Sequence, residues 1–315
     1  MKKTVVSFFV ILFSISLFAQ QTNLKGFELY GNAAAGMFGL NYWPANGSQL
    51  NGPGLRVGIG GAFFATPHWG ISTGLDFTTY SAFSSIKAGT SYAYTTYDSD
   101  GLPYTEKIHV DNKISEFDML YRIEFPVMIH YRYYLPSGNA LYVAGGLRVS
   151  LPIAGYFHVS SGAITTTGKY ENLNATMSNL PWLGFTSADL KGTSGMISSN
   201  KSYNAALEIG YLYKLKKTTF LTFSAFGEYG LNNFQHNLGS TNLIYPSLQY
   251  IGIPCSNTVN FPRLMSFGVK AAWHINISGE QLPLGKKKTY EQPQKSVEPP
   301  SNNRTRGGHQ RMGNN

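Results

Sequence analysis

Eight stretches of this chain alternate strictly between apolar and polar residues, and that period of two decides most of what the chain can become. Successive side chains of a strand point to opposite faces, whereas a helix needs apolar residues three and four apart. The fourth stretch is the longest. From Phe117 to Tyr133 every odd-numbered residue is apolar or aromatic, and between them stand Asp118, Arg122, Glu124, His130 and Arg132. The other seven are predicted at about 27–39, 55–65, 69–80, 141–151, 204–214, 221–229 and 265–276. Short turns around Pro67, Pro136 and Lys216 alternate with four long connections, about 41–54, 81–116, 158–202 and 233–262. An even number of antiparallel strands, with short turns on one side and long loops on the other, predicts an all-β fold. The specific expectation is an eight-stranded antiparallel up-and-down transmembrane β-barrel.

The first residues point to export. Lys2 and Lys3 precede an apolar run from Val5 to Phe18, and Ala19 ends it with a small residue, so residues 1–19 read as a signal peptide. That run is too short for a spanning helix, and no later segment approaches the roughly 18 apolar residues one needs. The barrel is expected over 20–278. From 279 to 315 the alternation stops in favour of Pro, Asn, Gln and basic residues, which predicts a disordered tail. Cys255 is the one cysteine, which excludes an intrachain disulfide and a cysteine-based zinc cluster.

Alternation alone does not say which face meets lipid, because a lipocalin-like soluble barrel alternates too. The charges decide. Only 13% of residues are charged while 14% are aromatic, about half the charge of an ordinary soluble domain. The predicted register gathers Glu28, Arg56, Asp76, Asp118, Arg122, Glu124, Arg132, Arg148, Glu208, Lys214, Glu228 and Lys270 on one surface. Six are basic and six acidic. Such a balanced set suits the packed interior of a small barrel. A lumen ion-pair network is therefore expected from Arg56, Asp76, Arg122, Glu124, Arg132, Arg148, Glu208, Glu228 and Lys270, with Glu124 beside Arg122. Trp69, Tyr133, Tyr213 and Trp273, near strand ends, suit the aromatic girdles at the membrane interfaces.

The segment from Asp118 to Arg132, with Arg122-Ile123-Glu124-Phe125-Pro126-Val127 at its centre and Tyr131-Arg132 at its end, resembles a motif of the PorT-like outer-membrane β-barrel family. The Gly-rich first strand and Val143-Ala144-Gly145-Gly146-Leu147 are similar as well. The resemblance covers about 26–277. It implies an OmpA/OmpX-like eight-stranded architecture in the outer membrane, with short turns and both mature termini periplasmic. It implies little about activity, since such barrels serve as anchors, adhesins and accessory subunits. OmpA-type proteins often carry a peptidoglycan-binding domain after the barrel, and the linker-like tail here does not predict one.

No motif carries a specific chemistry. Gly162 to Lys169 has one residue too many between its glycines for a phosphate loop, and Tyr170 where Ser or Thr is required. The seven histidines lack ligand spacing, so neither metal nor cofactor is expected. His109 with Asp111, and His158 with Ser160 and Ser161, could be cast as catalytic pairs, but a chain this rich in Ser offers such pairs freely, and no catalytic residue is assigned.

The expected function is that of a non-enzymatic outer-membrane barrel, a structural or accessory component of an envelope complex. A surface adhesin or ligand-binding barrel acting through its Tyr-rich loops is the alternative, and an outer-membrane enzyme a weaker one. The expected partners are outer-membrane lipid and other envelope proteins, with no nucleic acid. For the tail, contact with acidic periplasmic components and simple solvation both stay open.

Overall fold

The computed structural model describes residues 26–216, 218–235, 242–244 and 250–278. The signal segment and the basic tail expected from the sequence lie outside the described residues. Eight strands form a wall: β1 (Phe27–Asn41), β2 (Pro53–Phe64), β3 (Trp69–Ile86), β4 (Pro103–Tyr134), β5 (Ala140–Tyr170), β6 (Ser202–Lys214), β7 (Thr219–Gly230) and β8 (Arg263–Asn276). Each pairs antiparallel with the next, and β8 pairs with β1 from Glu28–Asn276 to Asn41–Arg263, which closes the ring. Closure leaves the ring itself no free edge.

The stagger follows from the registers. Ser202 pairs with Ser150, then the rung passes through Glu124, Asp76, Gly58, Asn32, Ala272 and Thr222 and returns to β6 at Leu212. A shift of ten residues over eight strands corresponds to a tilt of roughly 40°.

The outer surface is apolar. Leu55, Val57, Ile59, Leu207, Ile209 and Val269 are all more than half exposed, while Arg56, Arg122 and Glu124 are fully buried. A water-soluble barrel has the opposite arrangement, and hydrocarbon around the wall removes its cost. Trp69, Tyr133, Tyr213 and Trp273 ring the turn end of this belt. Tyr121, Tyr203 and Tyr229 mark its other end. Tyr203 and Tyr213 are ten residues apart on β6, and at about 3.3 Å per residue and that tilt they span roughly 25 Å, the height of an outer-membrane apolar band.

Two expected loops are largely sheet instead. β4 and β5 have 32 and 31 residues, against the roughly 9–11 that a tilted strand needs to cross. Their ladder continues past the Tyr121 level to Thr105–Lys169. Ser91–Tyr97 extends it beyond β4, short strands Ala175–Met177, Ser187–Asp189 and Ser194–Met196 extend it beyond β5, and Gly47–Asn51 pairs with upper β3. Register shifts between Val110 and Glu116 and at Tyr121–Arg122 let the wall bend as it leaves the lipid level.

Candidate functional site

The lumen is filled in two storeys. Between the girdles the inward side chains are charged and paired. Arg56 donates to Glu228 from both terminal nitrogens at 2.6 Å and to Glu124 at 2.8 Å. Arg148 sits 2.5 Å from Asp76, 2.8 Å from Glu228 and 3.6 Å from Glu124. Five side chains from β2, β3, β4, β5 and β7 thus make one cluster. Tyr80 donates to Glu124 at 2.7 Å, Ser266 to Glu228 at 2.9 Å and Asn32 to Asp76 at 3.0 Å. Phe38 and Phe226 flank the Arg56 guanidinium at 5.1 and 5.3 Å. Gly58 makes room for this cluster: a Cβ there would lie 1.8 Å from Asp76 Oδ1.

Two smaller pairs lie nearer the turn end. Arg132 donates to both oxygens of Glu28 at 2.7 Å and stacks over Phe64 at 3.6 Å. Lys270 donates to Glu208 at 2.6 Å, and Tyr142 and Ser224 donate to the same carboxylate. Beside them is a cavity of about 20 Å³, lined in part by Tyr30, Ser72 and His130, with room for about one water.

Arg122 departs from the expected pairing. It does not pair with Glu124, whose oxygens are taken by Arg56, Thr78 and Tyr80. Alternate residues of one strand point the same way but sit nearly 7 Å apart, and Arg122 turns upward. It donates to Ser150 Oγ at 2.7 Å, to the Ser150 carbonyl at 3.0 Å and to the Asn200 carbonyl at 2.7 Å. Counted with it, five lumen cations face five carboxylates: Arg56, Arg122, Arg132, Arg148 and Lys270 against Glu28, Asp76, Glu124, Glu208 and Glu228. Lys214 lies at the turn-side rim, where its backbone N–H donates to Asn139 Oδ1 at 3.0 Å.

Above Arg122 the interior turns apolar, which the sequence reading did not anticipate. Phe38, Leu40, Leu120, Phe157, Val159 and Ile164 line the wall, and Phe234, Leu243, Ile244, Ile253 and Val259 of the last long connection fill the mouth. This plug encloses two carboxyls. Glu116 accepts the Ile253 N–H at 2.8 Å, and Asp118 accepts from Tyr42 at 2.7 Å and Ser84 at 3.1 Å. Neither has a cation partner among the described residues. Both lie beyond the Tyr121 girdle. Burial and the neighbouring Asp118 push the Glu116 carboxyl well above the usual carboxylate range, and burial raises Asp118 to about 6 against hydrogen bonds from Glu116, Tyr42 and Ser84. Asp118, expected among the lumen charges, belongs to this upper storey.

The structure does not assemble the imagined catalytic pairs into a nucleophile, base and orienting group. Ser91 and His109 are cross-strand neighbours 2.9 Å apart, with Asp111 4.0 Å from the same ring, but all three lie exposed on the outer sheet face. His158 meets Ser194 at 2.8 Å, while Ser160 and Ser161 donate to carbonyls of β4 and its bulge. Gly162 to Lys169 is β5 strand. Among the described residues no three His, Cys, Asp or Glu side chains cluster as metal ligands.

No family model matches the sequence, and no curated protein matches it. The PorT-like likeness of the fourth strand therefore stays a resemblance. Among solved structures, the chain is similar to Neisserial surface protein A (12% identity, 80% of this chain and 96% of that one, TM-score 0.33). It is similar to the outer membrane protein OprG of Pseudomonas aeruginosa (11%, 79% and 95%, TM-score 0.35). A third is the N-terminal β-barrel domain of OprF from the same organism (12%, 79% and 99%, TM-score 0.28). At these TM-scores the likeness adds nothing to the barrel that the strand registers already establish.

Proposed function

We propose that the protein is a non-conducting outer-membrane barrel that holds a rigid contact surface above the membrane, as an accessory component of an envelope complex. Its short turns and mature termini face the periplasm and its raised sheet faces outward. One observation carries the reading. Just past the Tyr121 girdle, on the outside of β3–β5 and the short strands Gly47–Asn51 and Ser194–Met196 beside them, Leu50, Phe83, Phe117, Met119, Tyr156 and Met196 form a continuous apolar patch. Phe83 and Phe117 touch, with ring centroids 5.0 Å apart, and a recess of about 450 Å³ opens between Phe117, Tyr156 and Met196. Contiguous apolar surface on a rigid sheet beyond the lipid level fits protein contact. A filled lumen gives the barrel no transport path, and His158 with Ser194, which line this open recess, form no described ion pair with a carboxylate that would orient them as a base and nucleophile.

The test is crosslinking in intact cells from a photoreactive residue at position 117, followed by purification in mild detergent. A defined envelope protein should be captured, and Phe83→Ser with Met196→Ser should abolish capture while heat-modifiable migration persists. Identical crosslinks in that variant would overturn the reading. A second reading, adhesion, is favoured by the far tip, where Leu173, Trp182 and Tyr97 are strongly exposed. It predicts that Trp182→Ser weakens attachment of whole cells to a surface or host matrix without changing envelope crosslinks.

A further inference from the structure

We propose that the rim of β6–β8 binds a phosphomonoester-bearing lipid, its headgroup on Lys201 and Arg263 and one acyl chain in a gutter along β7. The inference rests on the barrel spanning a bilayer. Lys201 Nζ lies 5.9 Å from the Tyr203 ring centre, and Arg263 Cζ lies 5.6 Å from that of Tyr229, to whose hydroxyl it also donates. These two tyrosines belong to the girdle, so both cations stand where lipid phosphates stand. The Tyr203 carbonyl accepts the Leu231 N–H at 2.7 Å, and continuing the Tyr229–Met265 register places Arg263 opposite Leu231. Arg263 and Lys201 are thus two strands and about two residues apart, roughly 12 Å between Cα atoms, a gap that two long side chains close around one phosphate.

Nothing opposes an anion there. The outward-facing carboxylates among the described residues lie on the raised sheet or in the turns at its tip, and neither cation forms a described ion pair. Below the cations the wall is hollow. On the outer face of β7 the residues after Tyr229 are Gly227 and Ala225, flanked on their rungs by Leu207 and Ile209 of β6 and by Phe267 and Val269 of β8. A Cβ at Gly227 would meet no atom within 4 Å. A narrow apolar channel therefore descends from a two-cation seat, which is the shape and charge of an acylated phosphate.

Full-length protein in nanodiscs, released for native mass spectrometry, tests this with phosphatidic acid as probe and phosphatidylcholine as control. The wild type should retain phosphatidic acid preferentially. Lys201→Ala with Arg263→Ala should reduce that preference about thirtyfold, from roughly fivefold per cation. Gly227→Leu, which keeps both charges, should reduce retention by filling the gutter. Equal retention of the two lipids by wild type, or an unchanged preference in the double variant, overturns the proposal. Displacement of the lipid by millimolar inorganic phosphate would also overturn it, as the mark of a free-anion site. Failure to enter nanodiscs would instead refute the barrel reading.

Discussion

Arg56 is fully buried and holds two carboxylates at once, so its removal leaves Glu228 and Glu124, together with Asp76, to the single cation Arg148 in a confined interior. Breaking a buried pair in this way costs about 3–5 kcal/mol. Arg122, equally buried, touches only hydroxyls and carbonyls, and losing it leaves neutral acceptors unmet, at about 1–3 kcal/mol. Denaturant titration in detergent should rank Arg56→Ala below Arg122→Ala, and the reverse order would refute the network as drawn. Gly58→Val should mimic part of the Arg56 loss, because the added side chain must displace Asp76 from Arg148.

The carboxyl pair in the plug makes a pH prediction whose sign follows from its raised pKa values. A carboxyl that titrates higher in the folded state binds more protons there, so its stabilisation is complete below the ordinary carboxylate range and fades as pH rises through the folded value. Asp118 titrates at about 6 and Glu116 well above its usual range. The Ile253 amide, which Glu116 accepts, should keep its full protection factor near pH 5 and lose part of it as the pH passes about 6, once the intrinsic rise of exchange with pH is divided out. Asp118→Asn should flatten that dependence. A protection factor independent of pH in the wild type would show that the pair does not titrate.

At the scale of elements, what was legible depended on where each strand sits. Within the lipid belt, odd positions of β4 are apolar while Arg122, Glu124, His130 and Arg132 stand at even ones, and the alternation revealed strand, register and orientation. Past Tyr121 the solvent outside is water, so the faces exchange character. Thr105, Lys107, His109 and Asp111 now point out while Ile108 and Val110 point in. A search tuned to one polarity loses the strand where that polarity reverses, and the bulged step between Val110 and Glu116 hides the continuity further. The same reversal explains why a polar lumen was expected throughout and an apolar plug was not. Arg122 was misplaced for a different reason. Alternation assigns a side chain to a face, but which of several buried carboxylates it meets depends on rotamer and on loop residues such as Asn200, distant in sequence. If the raised sheet and the barrel are separate cooperative elements, replacing 83–117 and 157–200 by short turns should leave a barrel that still inserts and still migrates differently after boiling. Failure to insert would mean that the upper wall nucleates the ring.

For the molecule as a whole, the question is whether anything crosses it. Eight strands leave an interior just wide enough for side chains, and here that interior is occupied in series. The Arg56–Arg148 cluster spans the bore between β2, β3, β4, β5 and β7, and the apolar plug lies above it. The two barriers differ in kind. The plug is chain from a connection and is removable. The charge cluster is part of the wall, and across the whole lower storey five cations face five carboxylates, so it neither attracts a single ion sign nor leaves a continuous water-filled path. Deleting 236–258 should therefore speed exchange at Tyr42 and Phe38 yet leave planar-bilayer conductance at baseline, because the lower storey still seals the bore. Steady porin-like current from the wild type would refute a closed barrel. Current appearing only after the deletion would assign the seal to the plug and reduce the charge cluster to a structural fastening. Silence in both proteins is the expected result, and it would locate the seal in the charged wall rather than in the plug.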